Sequence, residues 1–305
     1  TQEQLLQCLT RPTGPVDVVL DTDAYNEIDD QFALAYLLRY SAQCHVQALY
    51  AAPFFNERSS GPADGMEKSY QEIHKLLRLA GCEALQAHTF RGSEAYLPNE
   101  ETPVLSPAAA DLAHRAMQYS TDKPLYVVAI GAITNVASAL LLAPAIKDRM
   151  VLVWLGGHAW HWTDTKEFNM MQDVAGARVV FGCGVPLVQL PCMGVVSAFA
   201  TTEPELRYWL QGKNALCDYL VENTVAAASA YAAGTAWSRV IWDVTAVAWL
   251  VDPQSRFLQD RLEKTPMIRY DHTYDHSAQG QCMRYVDCVH RDALFTDVFQ
   301  KLAQD

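Results

Sequence analysis

Several features that assign a chain to a common protein class are missing here. The eight cysteines include no Cys-x-x-Cys pair, in a chain too large to need disulfides. No apolar run is long enough to span a bilayer, and no basic segment followed by an apolar one stands at the start. We therefore expect mostly buried thiols and a cytoplasmic protein.

Basic residues are also scarce. Lys and Arg number 23 against 35 Asp and Glu, which gives a net charge of −12. Without a basic patch the chain is not expected to bind a nucleic acid polymer or an anionic membrane. No Pro/Gly/Ser-rich linker and no repeat of fixed period divides the sequence. We expect one domain over residues 1–305, binding a small molecule.

Short apolar runs alternate with segments of helical periodicity. After an opening strand near residue 16, the pattern predicts strands at 45–51, 125–130, 151–155 and 187–190. It predicts helices at 65–80, 133–142, 173–181, 203–233 and 293–302, and a long loop at 158–171. This alternation is typical of an α/β fold with a mainly parallel, mixed central sheet flanked by helices. Ligands then bind at the carboxyl ends of the strands.

Four aspartates gather at the first strand-to-helix turn. Asp21 and Asp23 end the opening apolar run, and Asp29 and Asp30 begin the next helical segment. Burying so many unpaired carboxylates is costly, so the turn predicts a bound cation. The alternative is a solvated acidic turn in which Asp29 or Asp30 caps the helix.

Other polar groups also follow predicted strands or begin predicted helices. They are Asn56, the turn at Ile130 and Gly131, the pair Glu167 and Asn169, and Asp243 after Trp242. Carboxylates, amides and carbonyls without a thiol or imidazole cluster form a ligand set for a hard cation such as Ca²⁺. Zinc is not indicated.

The chain resembles the nucleoside hydrolase family, whose hallmark is Asp-x-Asp, a short loop, and Asp-Asp at a helix start. The matching segments are Asp21-Thr-Asp23 with Asp29-Asp30, Val128-Ala-Ile-Gly-Ala-Ile-Thr-Asn135, Glu167-Phe-Asn169 with Asp173, and Trp242-Asp243-Val-Thr-Ala-Val-Ala. Their order and approximate separations agree with the family over nearly the whole length. The resemblance implies the Rossmann-like nucleoside hydrolase fold and hydrolysis of a ribonucleoside to ribose and free base.

The resemblance also implies the ligands of a Ca²⁺ ion. They are Asp23, Asp30, Asp243 and the backbone carbonyl of Ile130. Asp23 is in addition the implied catalytic base, which takes the proton of the attacking water. Asp21 supports the turn without touching the metal.

The remaining site roles concern the substrate. Asp29, Glu167 and Asn169 are the implied sugar-binding residues, and Asn56 joins them if one residue is inserted after Pro53. The loop between Asp23 and Asp29 is two residues longer than the usual family loop, and its extra Asn26 and Glu27 are expected to reach or rim the pocket.

Trp242 bears on the base. It stands where many family members have a histidine that protonates the leaving base, and it resembles the purine-preferring subgroup, which stacks a tryptophan on the base. Solvent would then protonate the base. The alternative is that Trp242 is a core aromatic at a helix start.

Other aromatic residues could form a second face against the base. The candidates are the segment 157–162, with Trp160 and Trp162, and Tyr96. His158 and His161 have a metal-like spacing but are better explained as polar loop residues.

Two other functions share part of this sequence pattern. A Mg²⁺-dependent phosphohydrolase of the haloacid dehalogenase type also places Asp-x-Asp after its first strand, but it leaves Asp29 and Asp30 unexplained. A non-catalytic nucleoside-binding module would keep the same fold. The resemblance further implies a homodimer or homotetramer.

Overall fold

Strands and helices alternate along most of the chain. A computed structural model describes residues 1–277 and 280–304. Its strands are β1 (Val16–Thr22), β2 (Cys44–Ala51), β3 (Thr89–Arg91), β4 (Leu125–Ala129), β5 (Met150–Leu155), β6 (Leu187–Leu190), β7 (Ala200–Thr201), β8 (Arg239–Val240), β9 (Leu258–Lys264), β10 (Met267–Ile268), β11 (Tyr274–Asp275) and β12 (Cys282–Val289). Its α-helices are α1 (Gln2–Cys8), α2 (Asp29–Arg39), α3 (Pro62–Leu79), α4 (Pro107–Ala116), α5 (Thr134–Leu142), α6 (Phe168–Gln172), α7 (Val174–Gly182), α8 (Glu203–Leu210), α9 (Ala215–Ala232), α10 (Val244–Val251) and α11 (Arg291–Leu302).

One eight-stranded sheet organises the molecule. Its strand order is β3-β2-β1-β4-β5-β6-β12-β9. Every neighbouring pair is parallel except β12 with the edge strand β9, which is antiparallel. The predicted fold class, a mainly parallel mixed sheet flanked by helices, is confirmed.

The core lies on both faces of this sheet. Along β1, Val18 and Leu20 belong to one apolar cluster and Val19 to the other, and all three are fully buried. Strands buried on both faces have nearly continuous apolar sequences, which is why β1, β4 and β5 were recognisable. Burial on both faces leaves the strand ends as the places where polar chemistry can collect.

Two local predictions were wrong, and the strand β9 was not predicted. The loop predicted at 158–171 ends in the helix α6, which is too short to show helical periodicity. The helix predicted at 203–233 is two helices, α8 and α9, separated by a turn in which Gly212 has a φ of 72°. Sequence analysis assigned no strand to β9, because charged residues interrupt any apolar alternation there.

The cysteines are less buried than expected. All eight are free thiols; Cys8, Cys44, Cys192 and Cys217 are buried, and the other four are half-buried.

Among the described residues no helix is both long and apolar enough to cross a membrane.

Candidate active site

A cavity of about 190 Å³ lies at the carboxyl edge of the sheet. The ends of β1, β4 and β5 meet there because these strands are neighbours in the sheet. The cavity is lined by eight of the nine predicted site residues: Asp23, Asp29, Asp30, Ile130, Glu167, Asn169, Trp242 and Asp243. Segments more than 200 residues apart in the sequence thus form one acidic pocket.

Three buried carboxylates form its floor. Asp29 and Asp30 begin α2, Asp243 precedes the first residue of α10, and each is at most 3% exposed. One oxygen from each lies within 4.8 Å of the others. The Thr22 hydroxyl donates a 2.5 Å hydrogen bond to Asp30 Oδ1, while Asp29 Oδ1 has no partner among the described residues. Converging buried carboxylates with an unpaired oxygen fit a hard cation.

Asp23 follows the end of β1 and is 1% exposed. Neither of its carboxylate oxygens has a hydrogen-bond partner among the described residues. Gly131, in the turn after β4, allows this approach, because a Cβ atom there would lie 3.0 Å from Asp23 Oδ1. A buried carboxylate with both oxygens unpaired is available to a cation or to a water molecule.

The buried carboxylates repel one another, and this repulsion adds to the increase in their pKa values. Burial raises the pKa of Asp23 well above its usual range, and the charge of Asp30 adds to the shift. Burial first and the Asp29 charge second do the same to the pKa of Asp30 and of Asp243. Ionising these carboxylates in the protein alone therefore costs free energy. A bound divalent cation would offset that cost.

The opposite wall is held by main-chain hydrogen bonds. Glu167 caps α6, and its two oxygens accept from the backbone N–H groups of Gly157, Asn169 and Met170, each at 2.9 Å. Asn169 Nδ2 donates to the carbonyl oxygens of Ile130 and Leu155, each at 3.1 Å. These contacts fix the predicted sugar-binding side chains in position.

Two aspartates support the site from outside the cavity. Asn135 donates a 2.8 Å hydrogen bond to Asp21 Oδ1, and burial raises the pKa of Asp21 to about 7. Asp173 caps α7 and accepts hydrogen bonds from Thr134, Gly176 and Leu97. Both aspartates join turns that carry site residues.

Asn56 is the predicted site residue that does not line this cavity. Its Nδ2 donates a 2.7 Å hydrogen bond to Asn26 Oδ1, and Asn56 lines a neighbouring cavity. Asn26 and Glu27, from the longer loop, occupy the wall of the acidic cavity instead. The structure therefore places Asn56 beside Asn26 in the neighbouring cavity, and its sugar contact stays a prediction.

Trp160 and Tyr96 were candidates for a second aromatic face. The Trp160 ring lies 4.3 Å from that of Tyr285, and its Nε1 donates to Gln189. Tyr96 donates its hydroxyl hydrogen to Gln172. Neither side chain lines the acidic cavity, since both satisfy their polar atoms elsewhere.

Several wall residues escaped the sequence analysis as site residues. Lys166, Phe168, Cys192 and Met193 line the cavity, as does His158. The Met193 N–H donates to His158 Nδ1 at 3.3 Å, so a neutral His158 carries its proton on Nε2. The position of His158 directly after the glycine pair that follows β5 was the available signal.

The chain matches one family model over residues 18–295, that of the inosine-uridine preferring nucleoside hydrolases. A curated relative is the non-specific ribonucleoside hydrolase RihC of Salmonella schwarzengrund (strain CVM19633), 31% identical over 183 residues. That alignment covers 58% of this chain and 57% of the relative, so the chain spans a little over half the length of RihC.

Solved structures share the fold over nearly the whole chain. The plant nucleoside hydrolase PpNRh1 superposes with a TM-score of 0.76 at 16% identity, covering 95% of this chain and 100% of the plant one. The purine-preferring ribonucleoside hydrolase of Gardnerella vaginalis gives 0.72 at 18% identity, covering 94% and 98%. At these identities the likeness concerns the fold.

Proposed function

The chain belongs to the inosine-uridine preferring nucleoside hydrolase family, and we propose that it hydrolyses the N-glycosidic bond of a ribonucleoside to ribose and free base. The observation that carries the proposal is the acidic cavity itself. Asp23, Asp29, Asp30 and Asp243 are all buried there, and a bound cation with a polar substrate would compensate their charge. The eight-stranded central sheet, which runs from β1 to β12 with a core on both faces, supports one catalytic domain over residues 1–305.

Ca²⁺ is the proposed cofactor. Asp23, Asp30, Asp243 and the Ile130 carbonyl would hold it, because all four residues line the same cavity and offer oxygen ligands. When bound, the cation supplies a lowered pKa for a coordinated water and electrostatic binding of two ribose hydroxyls. The unpaired oxygens of Asp23 support this assignment.

The protein side chains divide the remaining chemistry. Asp23 accepts a proton from water as the water oxygen bonds to the anomeric carbon and the bond to the base nitrogen breaks. Asp29, Glu167 and Asn169 bind sugar hydroxyls, and the carboxylates stabilise the positive charge that develops on the ribose ring. The departing base takes its proton from solvent.

Purine bases are the proposed preference. Trp242 lines the acidic cavity while part of its surface packs against the core, so its indole is held beside the space a base would enter. Stacking on an indole favours the larger ring system.

We further propose a homodimer or homotetramer, which light scattering of the purified protein would test.

The direct test is ribose release. The protein is incubated with inosine, adenosine, guanosine, uridine and cytidine, and reducing sugar is measured before chelation, after chelation and after Ca²⁺ is restored. We expect ribose from at least one nucleoside, loss of release with chelator, and recovery with Ca²⁺. Cleavage of p-nitrophenyl phosphate without ribose release would favour a phosphohydrolase. Nucleoside binding without any turnover would favour a binding module.

A further inference from the structure

A second cavity adjoins the acidic one. It measures about 650 Å³ and is lined by residues of the β1–α2 loop, the loop after β2, α3, α9 and β8. Asn26 and Glu27 line both cavities. These two residues therefore form the partition between the acidic cavity and the larger space beside it.

Three side chains from distant segments hold this partition in place. Arg239 Nη2 pairs with Glu27 Oε2 at 2.5 Å, Arg58 Nη1 donates to the Asn26 carbonyl at 2.8 Å, and Asn56 binds the Asn26 side chain. The Glu27 side chain remains 44% exposed, and its Oε1 has no hydrogen-bond partner among the described residues. One carboxylate oxygen is thus fixed while the other remains available to a ligand.

The small volume of the acidic cavity bears on where the leaving base lies. The acidic cavity, at about 190 Å³, is smaller than the roughly 300–1,000 Å³ of most small-molecule sites. The sugar-binding groups and the proposed metal ligands occupy its floor and one wall. A base attached to a sugar held there extends to the edge of the cavity, where Asn26 and Glu27 form the border with the larger space.

We propose that Glu27 is a specificity-determining residue that accepts a hydrogen bond from an N–H group of the leaving base, and that Arg239 is the residue that positions it. This inference rests on the proposed hydrolase function. An N–H group facing Glu27 Oε1 gains a charge-assisted hydrogen bond, whereas a methyl group in its place shields that oxygen from water and leaves it without a partner. Glu27 therefore selects bases that present an N–H group on that edge.

Methylated nucleosides test the proposal. The pairs are inosine with 1-methylinosine, uridine with 3-methyluridine, and adenosine with N6,N6-dimethyladenosine, and kcat/KM is measured for the pair whose unmodified member is cleaved fastest. For the unmodified protein we expect discrimination of about tenfold or more against the methylated substrate. Glu27→Ala should reduce that ratio to nearly one, and Glu27→Gln should give an intermediate ratio.

Two further variants separate recognition from architecture. Arg239→Lys should lower the ratio, because a Lys ammonium cannot hold the carboxylate with the fixed geometry of a guanidinium. Glu203→Ala removes a comparably exposed carboxylate from an ion pair with Arg207 on α8 and should leave the ratio unchanged. Thermal unfolding of every variant confirms that the ratio is read on folded protein.

The outcomes are distinguishable. If the unmodified protein releases ribose from no nucleoside, the proposed function fails. If it releases ribose but cleaves methylated and unmodified substrates equally well, the role of Glu27 is refuted while the hydrolase function stands. A ratio that persists in a folded Glu27→Ala protein also refutes it, since the pair with Arg239 would then be only a structural tie.

Discussion

Asn169 Nδ2 lies 3.1 Å from the carbonyl oxygen of Ile130. A predicted sugar-binding side chain thus donates to the main-chain oxygen that is proposed to bind the cation. A carbonyl oxygen has two lone pairs, so the hydrogen bond and a metal bond are compatible. Asn169 therefore orients a proposed ligand as well as lining the cavity.

Asn169→Ala should weaken Ca²⁺ binding by about 10- to 100-fold, because the Ile130 carbonyl loses the donor that fixes its direction. Calorimetric titration of the metal-stripped protein measures this. Asn99→Ala, in an exposed loop where the side chain accepts from Glu101 and Thr102, is the matched control. Unchanged Ca²⁺ affinity in Asn169→Ala would show that the contact is incidental.

Asp23→Asn should lower kcat by about 10²- to 10⁴-fold, the usual contribution of a positioned general base. The same change removes a repelled buried charge, so the metal-free variant should unfold at a higher temperature than the unmodified protein. Asp111→Asn is the control for turnover, since Asp111 is half-buried on α4, where it pairs with Arg115, and does not line the cavity. Near-normal turnover in Asp23→Asn would remove Asp23 from the base role.

The metal-free protein should become less stable as the pH rises. Burial raises the pKa of Asp21 to about 7 and shifts those of Asp23, Asp30 and Asp243 well upward. The folded state then binds more protons than the unfolded chain from about pH 4 through these pKa values, so stability is lost over that range.

Added Ca²⁺ should reverse much of that loss, because it binds the ionised carboxylates. Denaturant unfolding of the stripped protein at pH 5.5 and pH 8, with and without Ca²⁺, measures both effects. In Asp23→Asn the stability of the metal-free protein should depend less steeply on pH. This variant distinguishes the effect of the site carboxylates from that of the net charge of the whole chain. A stripped protein that is equally stable at both pH values would contradict the expectation.

The floor of the site was predictable because its residues follow local rules. Asp23 comes directly after an apolar strand and Asp30 begins a helix, and alternating strands and helices place such positions at one sheet edge. The same rules singled out the turn at Ile130 and the helix start at Asp243, and the family resemblance then implied that both residues hold the same cation.

The longer loop predicted that Asn26 and Glu27 reach the pocket, and both line it. The contacts that hold them, and the aromatic contacts, were not predictable, because they depend on distant partners. Glu27 is fixed by Arg239, 212 residues later, and Trp160 packs against Tyr285 on β12. Nothing in the sequence around Glu27 or Trp160 encodes those contacts. The position of Asn56 outside the acidic cavity has the same origin, since its contact with the longer loop depends on how that loop folds against Arg58 and Asn56.

Trp242 provides the test of base preference. Its indole lines the cavity immediately before Asp243, so stacking on a base should contribute about 1–3 kcal/mol, or about tenfold and more in kcat/KM. We expect Trp242→Ala to lose that factor on inosine and guanosine and clearly less on uridine, because a pyrimidine offers a smaller face. Trp242→Phe, which keeps an aromatic ring, should retain most of the purine activity. Steady-state kinetics on the three nucleosides, with thermal unfolding as the folding control, measures this. An equal loss on purines and pyrimidines would mean that Trp242 acts through the packing of α10 and the position of Asp243, as its partial contact with the core allows.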